Sequence, residues 1–561
     1  MMFKKALSLI LACVMILSLA ACGKDEKKDN PLNPEFTPTP ITTEKVEEFK
    51  DGKFSTTRKI TVEIYDRGND GGSDPENNMY TDYIKKGMLE KHNVEVTFKK
   101  VPRWTETDEI NNLLAAGDAP DICVTYSYPT VLTYAQMGGV IDLNQYIETY
   151  KGELTNLWNW LGDTNMLWDK DPKSGTVWAL EGKRVENQRI VTFVREDWLK
   201  KLNLKTPTTR AEFENMLIAF RDNASTLLGE NADKMIPYQV TYDVGWTANN
   251  LIASFLDPKM TDKEFYINGF DDRMVTQNGT KEAVRLLNKW YNMGLLWDDF
   301  ALYGSGDTTG DDMIKAGYVG AIMVNWDQPF RNGDDSLISS LKRIVGSDAN
   351  YIPVDCFENS EGKYAKYLYS SAGDRKIFFP STNDEPLASL LYLDFISSPE
   401  VLKYLQAGDE GVTHKVLDSG AIEILAATGN AIQNSGKNID YTITCNGTWF
   451  GSQDLATLSL AYGYAGIDPE LVMKADAASK NDGIAPKNVN VGTIEAEAGV
   501  GDTLSSLRDQ LFDKAVVAKE GEFDKVWDSA MSDYLSEGGK AIMEEREAKW
   551  NEYFGSSDML P

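Results

Sequence analysis

Aromatic rings set beside amides and carboxylates are the recurrent chemical feature of this chain. Tyr126 and Tyr128 follow the apolar run 122–124, Glu181 stands near Trp178, and Trp246 ends the run Tyr242-Asp243-Val244-Gly245-Trp246. Asn325, Trp326 and Asp327 are consecutive, and Trp449 closes Asn446-Gly447-Thr448-Trp449. A flat ring covers apolar faces, while a neighbouring carboxylate or amide supplies oriented hydrogen bonds, the charged ones being the stronger. That combination suits holding a ligand that is polar at its rim and apolar on its faces. With 13 Trp and 25 Tyr in the chain, the plain alternative for any one ring is core packing.

Residues for bond-making chemistry are scarce. The two histidines, His92 and His414, belong to no zinc or serine-hydrolase motif, and there is no phosphate-binding P-loop. The loop Gly68-Asn69-Asp70-Gly71-Gly72 places acid where a phosphate would sit and reads as the flexible rim of a cleft. Asp169 and Asp171 suggest a calcium loop, but counting from Asp169 its sixth and twelfth positions are Ser174 and Leu180 rather than glycine and glutamate. A polar turn is the expectation there, with no metal and no cofactor. Asp118 and Asp121 read as turn formers, and Arg195 with Asp197 as the fixing of a strand-to-helix junction.

Elements must place these residues. Ile110, Leu113 and Leu114 share one helical face, and Gly117 supplies the left-handed position that ends the helix. Ile122, Cys123 and Val124 then form the short apolar run of a parallel strand covered on both sides. Tyr126 and Tyr128 sit past its carboxyl end, the edge at which open α/β sheets receive ligands. Upstream, Ile60, Val62 and Ile64 alternate, Tyr80, Ile84, Met88 and Leu89 mark a helix, and Val94, Val96, Phe98 and Val101 a second strand. The order βαβαβ predicts a mostly parallel sheet with right-handed crossovers. Residues 188–194 and 318–324 read as further strands. Val284, Leu287 and Tyr291 share a helical face, and Phe523, Val526, Trp527, Ala530, Met531 and Tyr534 form a core-packing stripe.

Residues 1–21 read as a secretory leader, with Lys4 and Lys5 before an apolar run too short to span a membrane. The run ends in Leu19-Ala20-Ala21-Cys22-Gly23, which resembles the lipobox in which the cysteine, here Cys22, is acylated and becomes the first residue. Residues 22–58 then make a lipidated, Pro- and Thr-bearing tether. The formal charge is -29, and loss of Lys4 and Lys5 makes it -31, which argues against nucleic acid as a partner. Of five cysteines, Cys123, Cys356 and Cys445 remain in the body and read as small core residues, with a Cys356–Cys445 disulfide as the alternative. The 540 residues left by subtracting 21 from 561 exceed one core, so two lobes are expected.

Arg195-Glu196-Asp197-Trp198-Leu199, Leu202-Asn203-Leu204 and Pro207-Thr208-Thr209 compose the pattern RxDWLxxLxLxxPxT. With LLAAGDAPDI at 113–122, GYVGAIM at 317–323, Phe379-Pro380, Ser398-Pro399-Glu400 and Gly408-Asp409-Glu410-Gly411, the chain resembles the family 1 extracellular solute-binding proteins of bacterial ABC sugar importers. Its leader, tether and acidity are most like the LipO-like lipoproteins of that family. The resemblance implies an α/β, periplasmic-binding-protein-like fold of two lobes, 59–182 plus 365–415 and 183–364 plus 416–561. Hinge crossings would fall near 181–187, near 353–367 and after Gly411. It further implies a monomer anchored on the outer face of the cell membrane, an oligosaccharide ligand gripped between the lobes without chemistry, and delivery to an ABC permease. The ligand-binding residues expected are Tyr126, Tyr128, Glu181, Trp246, Asn325, Trp326, Asp327 and Trp449. A surface glycan hydrolase with a carboxylate pair, or a receptor for a peptide or other solute, are the alternatives.

Overall fold

A computed structural model of the chain describes residues 48–68, 72–370, 373–485, 487 and 489–560. The leader, Cys22, residues 23–47 of the tether and the centre of the 68–72 loop lie outside the described residues. Among the described residues no helix is long and apolar enough to cross a membrane. Folded structure begins before the tether's expected end at Arg58. Phe49–Lys50 pairs with Lys53–Phe54, and Phe54 is buried in the first core.

The first lobe opens with β1 (Arg58–Asp66), α1 (Met79–His92), β2 (Val94–Pro102), α2 (Glu106–Ala116) and β3 (Cys123–Thr125). Asn78 caps α1 by accepting the amides of Tyr80 and Thr81, and Gly117, at φ 69°, closes α2 by donating to the carbonyls of Leu113 and Leu114. β1 runs parallel to β2, and a parallel bridge from Val62 to Ile122 adds the β3 segment on its other side. After β4 (Leu180–Glu181) the chain crosses through 182–189 into β5 (Ile190–Arg195), the first strand of the second lobe. There β6 (Ile236–Gln239), β7 (Val319–Asn325) and β8 (Tyr351–Val354) complete a sheet of order β8-β5-β7-β6. The second crossing, 355–375, returns to the first lobe as β9 (Lys376–Phe378), inserted between β3 and β4.

β6 and β7 are parallel, whereas β5 is antiparallel to both its neighbours, as β9 is to both of its own. In each sheet the reversed strand is therefore the one that arrives directly from the other lobe. A parallel neighbour needs a crossover element on the face of the sheet, and a strand entering from outside the lobe has none.

Each sheet sits in its own core. Val191, Phe193, Trp198, Tyr238, Trp290 and Ile322 belong to the second, and Val62, Ile84, Leu157, Ile377 and Leu391 to the first. Tyr441, Ile443 and Cys445 also pack in the first core, and Cys445–Asn446 pairs with Lys183–Arg184, so the final return to the second lobe comes later than the expected position after Gly411. The buried Arg375 guanidinium is the cause: it donates to the carbonyls of Ile439, Thr442 and Cys445 and pins that segment to the first lobe. The second core resumes at Tyr464. Cys356 lies in the second core and Cys445 in the first, and both, with Cys123, are free buried thiols.

Candidate ligand-binding cleft

A cavity of about 540 Å³ lies between the lobes, and strand ends from both lead into it. Arg67 follows β1, Arg103 and Trp104 follow β2, and Tyr126 follows β3. Arg184, Glu186 and Gln188 of the first crossing and Tyr369 of the second make its floor. Across from them stand Gln239 at the end of β6, Asp243 and Trp246 beyond it, and Asn325, Trp326 and Asp327 at the end of β7. Carboxyl-terminal strand edges thus meet from two sides, the place where α/β sheets leave room for a ligand.

The structure brings together Tyr126, Trp246, Asn325, Trp326 and Asp327 of the residues picked from sequence, and leaves three out. Tyr128 starts a helix capped by Ser127, packs in a small satellite core and donates its hydroxyl to the Asp169 carbonyl. Glu181 is fully buried and paired with Lys376 at 3.2 Å, so no ligand reaches it. Trp449 leans against Trp160, with ring centroids 4.9 Å apart, on the edge of the first core. The polar turn at 171–175 forms as expected, with Asp171 accepting the amides of Lys173 and Ser174. Arg195 grips Asp197 with two hydrogen bonds of 2.8 and 2.7 Å at the junction after β5.

Sequence reasoning missed the cations. Five guanidinium or aromatic groups follow one another from the floor towards the second lobe: Arg184 lies 3.9 Å from the Tyr369 ring centre, Arg189, itself outside the cavity lining, lies over Tyr369 and over Trp246, and Arg273 is 4.6 Å from Trp246. Arg103 lies over Tyr126 at 4.7 Å and over Tyr65 at 5.0 Å, and Lys437 over Trp326 at 5.4 Å. Such stacking fixes the plane of a guanidinium and leaves hydrogen-bond donors at its edge. Each cation has an acidic partner: Arg67 with Asp440, Arg103 with Glu106, Arg184 with Asp374, Arg189 with Asp272, Arg273 with Asp243, Arg331 with Asp327, and Lys437 with Glu186 and, at 3.8 Å, Asp327. Burial would raise the Asp327 carboxyl, but Arg331 and Lys437 outweigh it and hold the group well below the usual carboxylate range. One signal for these residues is present in the sequence, since Arg67 and Arg103 stand directly beyond the ends of two readable strands in a strongly acidic chain. Their partners lie far away in sequence, and only the fold reveals them.

The rim is closed at one point. An added Cβ on Gly306, in the second lobe's loop, would stand 3.3 Å from Trp104 Cδ1 and 3.4 Å from Trp104 Cβ in the first lobe, so backbone and ring meet across the mouth.

A model of the family described as bacterial extracellular solute-binding protein matches residues 83–422. The chain belongs to that family. Among its relatives, the polygalacturonan/rhamnogalacturonan-binding protein YtcQ of Bacillus subtilis is 24% identical over 472 residues, 81% of this chain and 85% of YtcQ. Lipoprotein LipO of the same organism is 24% identical over 344 residues, 59% of this chain and 64% of LipO. A crystal structure of the alginate-binding protein AlgQ2 without calcium is similar with a TM-score of 0.63 at 16% identity, covering 90% of this chain and all of that one. The two-lobe α/β architecture of this solute-binding protein is thus shared with solved structures.

Proposed function

We propose that the chain is the lipid-anchored, extracytoplasmic binding component of an ABC importer, that it captures an oligosaccharide between its lobes, and that it passes the ligand to a membrane permease. The observation that carries this is the interlobe cavity itself, lined by five of the aromatic and polar residues picked for carbohydrate contact, Tyr126, Trp246, Asn325, Trp326 and Asp327. The relatives' names add support, since YtcQ and AlgQ2 are described as binding polysaccharides. Anchoring rests on the lipobox-like Leu19-Ala20-Ala21-Cys22 and on the family's extracellular character. Catalysis is not part of this reading, because the family that the chain matches is one of binding proteins, and Asp327, the carboxylate picked for the site, is held ionised by two cations. A glycoside hydrolase needs one carboxyl that keeps its proton.

The test is thermal unfolding of the chain against mono- to pentasaccharides, with peptides as comparators and chromatography of the saccharide afterwards. Ligand at a hundred times its Kd adds about 2.7 kcal/mol to stability. A shift with one glycan class, recovered uncut, is the expected result. A shift with peptides alone removes the carbohydrate reading, and a shortened glycan makes the chain an enzyme.

A further inference from the structure

We infer that the ligand is an acidic, uronate-bearing oligosaccharide, and that Arg103 and Arg184 on the first-lobe side of the cavity receive its carboxylates; this rests on the carbohydrate reading above.

The cavity lining is balanced as a whole but divided unevenly, since the second-lobe side holds Asp243, Asp272, Asp307, Asp311 and Asp327 against Arg273 and Arg331. On the first-lobe and floor side the lining holds Arg67, Arg103, Arg184 and Lys437 against a single carboxylate, Glu186. The carboxylates that hold the three arginines, Asp440, Glu106 and Asp374, stand outside the lining, behind the guanidiniums. Arg184 is 16% exposed where Asp374 is 1% exposed, and Arg103 is 22% exposed where Glu106 is 11% exposed. The cation therefore faces the cavity and the anion faces the protein. A chain of net charge -29 repels anions at long range, so an acidic ligand needs such a local reversal.

The aromatic rings point the same way. Trp246 and Tyr369, which would otherwise offer faces to a sugar's C–H groups, have guanidiniums lying over them, and Trp326 is 3% exposed with the Lys437 ammonium over its ring. Arg184, beside Tyr369, and Arg273, beside Trp246, themselves line the cavity and bring guanidinium edges to it, whereas Arg189 stands outside the lining. A guanidinium edge matches the two oxygens of a carboxylate, and charge-assisted bonds of this kind are about twice as strong as neutral ones. Arg103 directs Nη1 to Glu106 at 3.0 Å, and Arg184 directs Nη2 to Asp374 at 2.6 Å.

The experiment is calorimetric titration of the full chain with trigalacturonate, with trimannuronate, with the methyl esters of both, and with the neutral maltotriose and galactotriose. The ester keeps the sugar and removes the charge. At least one uronate is expected to bind at least tenfold more tightly than its own ester, and added salt is expected to weaken the acid and not the ester. Arg103→Gln is expected to weaken the acid more than the ester and so pull the acid-to-ester ratio towards one; a purely structural loss would weaken both equally. Glu106 keeps the Thr125 hydroxyl as a partner in that variant. Equal binding of acid and ester, or tight binding of neutral sugars alone, overturns the acidic class and leaves the carbohydrate reading intact. Charge preference that survives Arg103→Gln unchanged overturns the role of Arg103. Binding of none of these saccharides removes the inference, and it removes the carbohydrate reading too if peptides bind instead. Should the variant fail to fold, the acid-to-ester ratio of the unaltered chain still decides.

Discussion

Lys376 shows at the scale of one residue how this protein spends charge away from its cleft. Its ammonium sits 3.2 Å from Glu181, and Asp169 is close enough to both to interact. Burial pushes the Glu181 carboxyl well above its ordinary value, Lys376 draws it back in part, and Asp169 pushes it up again. A carboxyl raised in the folded state favours folding most fully below its unfolded value, and that contribution is lost as pH climbs through the folded one. Glu181→Gln is therefore expected to flatten the decline in melting temperature from acid to alkaline pH and to raise the melting temperature at about pH 8, where one lysine would then face one carboxylate. A variant with an unchanged pH profile would show that Glu181 does not carry this burden. Sequence gave no warning of this role. Glu181 next to a crossing and near Trp178 looked like a ligand residue, and its true partner is 195 positions away on β9.

At the scale of elements, the first crossing depends on a glycine as well as on polar residues. Gly182 opens the first crossing, where its amide donates to the Arg375 carbonyl at 2.7 Å and a Cβ would come within 2.8 Å of the Ile443 carbonyl. A side chain there must separate the two strands that cross. Gly182→Ala is expected to cost about 1–3 kcal/mol in urea unfolding and to widen the open population seen by small-angle scattering. Unchanged stability and shape would place the pivot elsewhere. Much of the first lobe was legible beforehand, because Ile60, Val62 and Ile64, then Tyr80, Ile84 and Met88, then Val94, Val96 and Phe98 carry unambiguous periods. The reversed strands β5 and β9 were not, since direction leaves no mark on the composition of a buried strand. Nor was the late third crossing, which depends on Arg375 binding three distant carbonyls.

For the whole molecule, the proposed function makes ligand capture a shift between open and closed arrangements. A ligand favours closure only by what it gains from touching the second wall. The cleft suits such a shift, because Arg103, Arg184 and Tyr126 lie on one side and Trp246, Asn325 and Asp327 on the other. Tyr126 and the run Asn325 to Asp327 were readable as ring and polar groups beyond strand ends. The guanidiniums between them were not singled out, because arginine in an acidic chain looks like surface until its neighbours are known. The most direct measurement is to lock the mouth with Trp104→Cys and Gly306→Cys, whose Cβ atoms stand 3.4 Å apart, close to disulfide reach, in a chain whose own Cys123, Cys356 and Cys445 are buried. The reduced double variant is expected to bind the saccharide that shifts the melt. Oxidation before ligand is added should abolish uptake, and oxidation afterwards should trap the ligand until reductant releases it. Equal binding and release by the oxidised and reduced forms would contradict capture between the lobes.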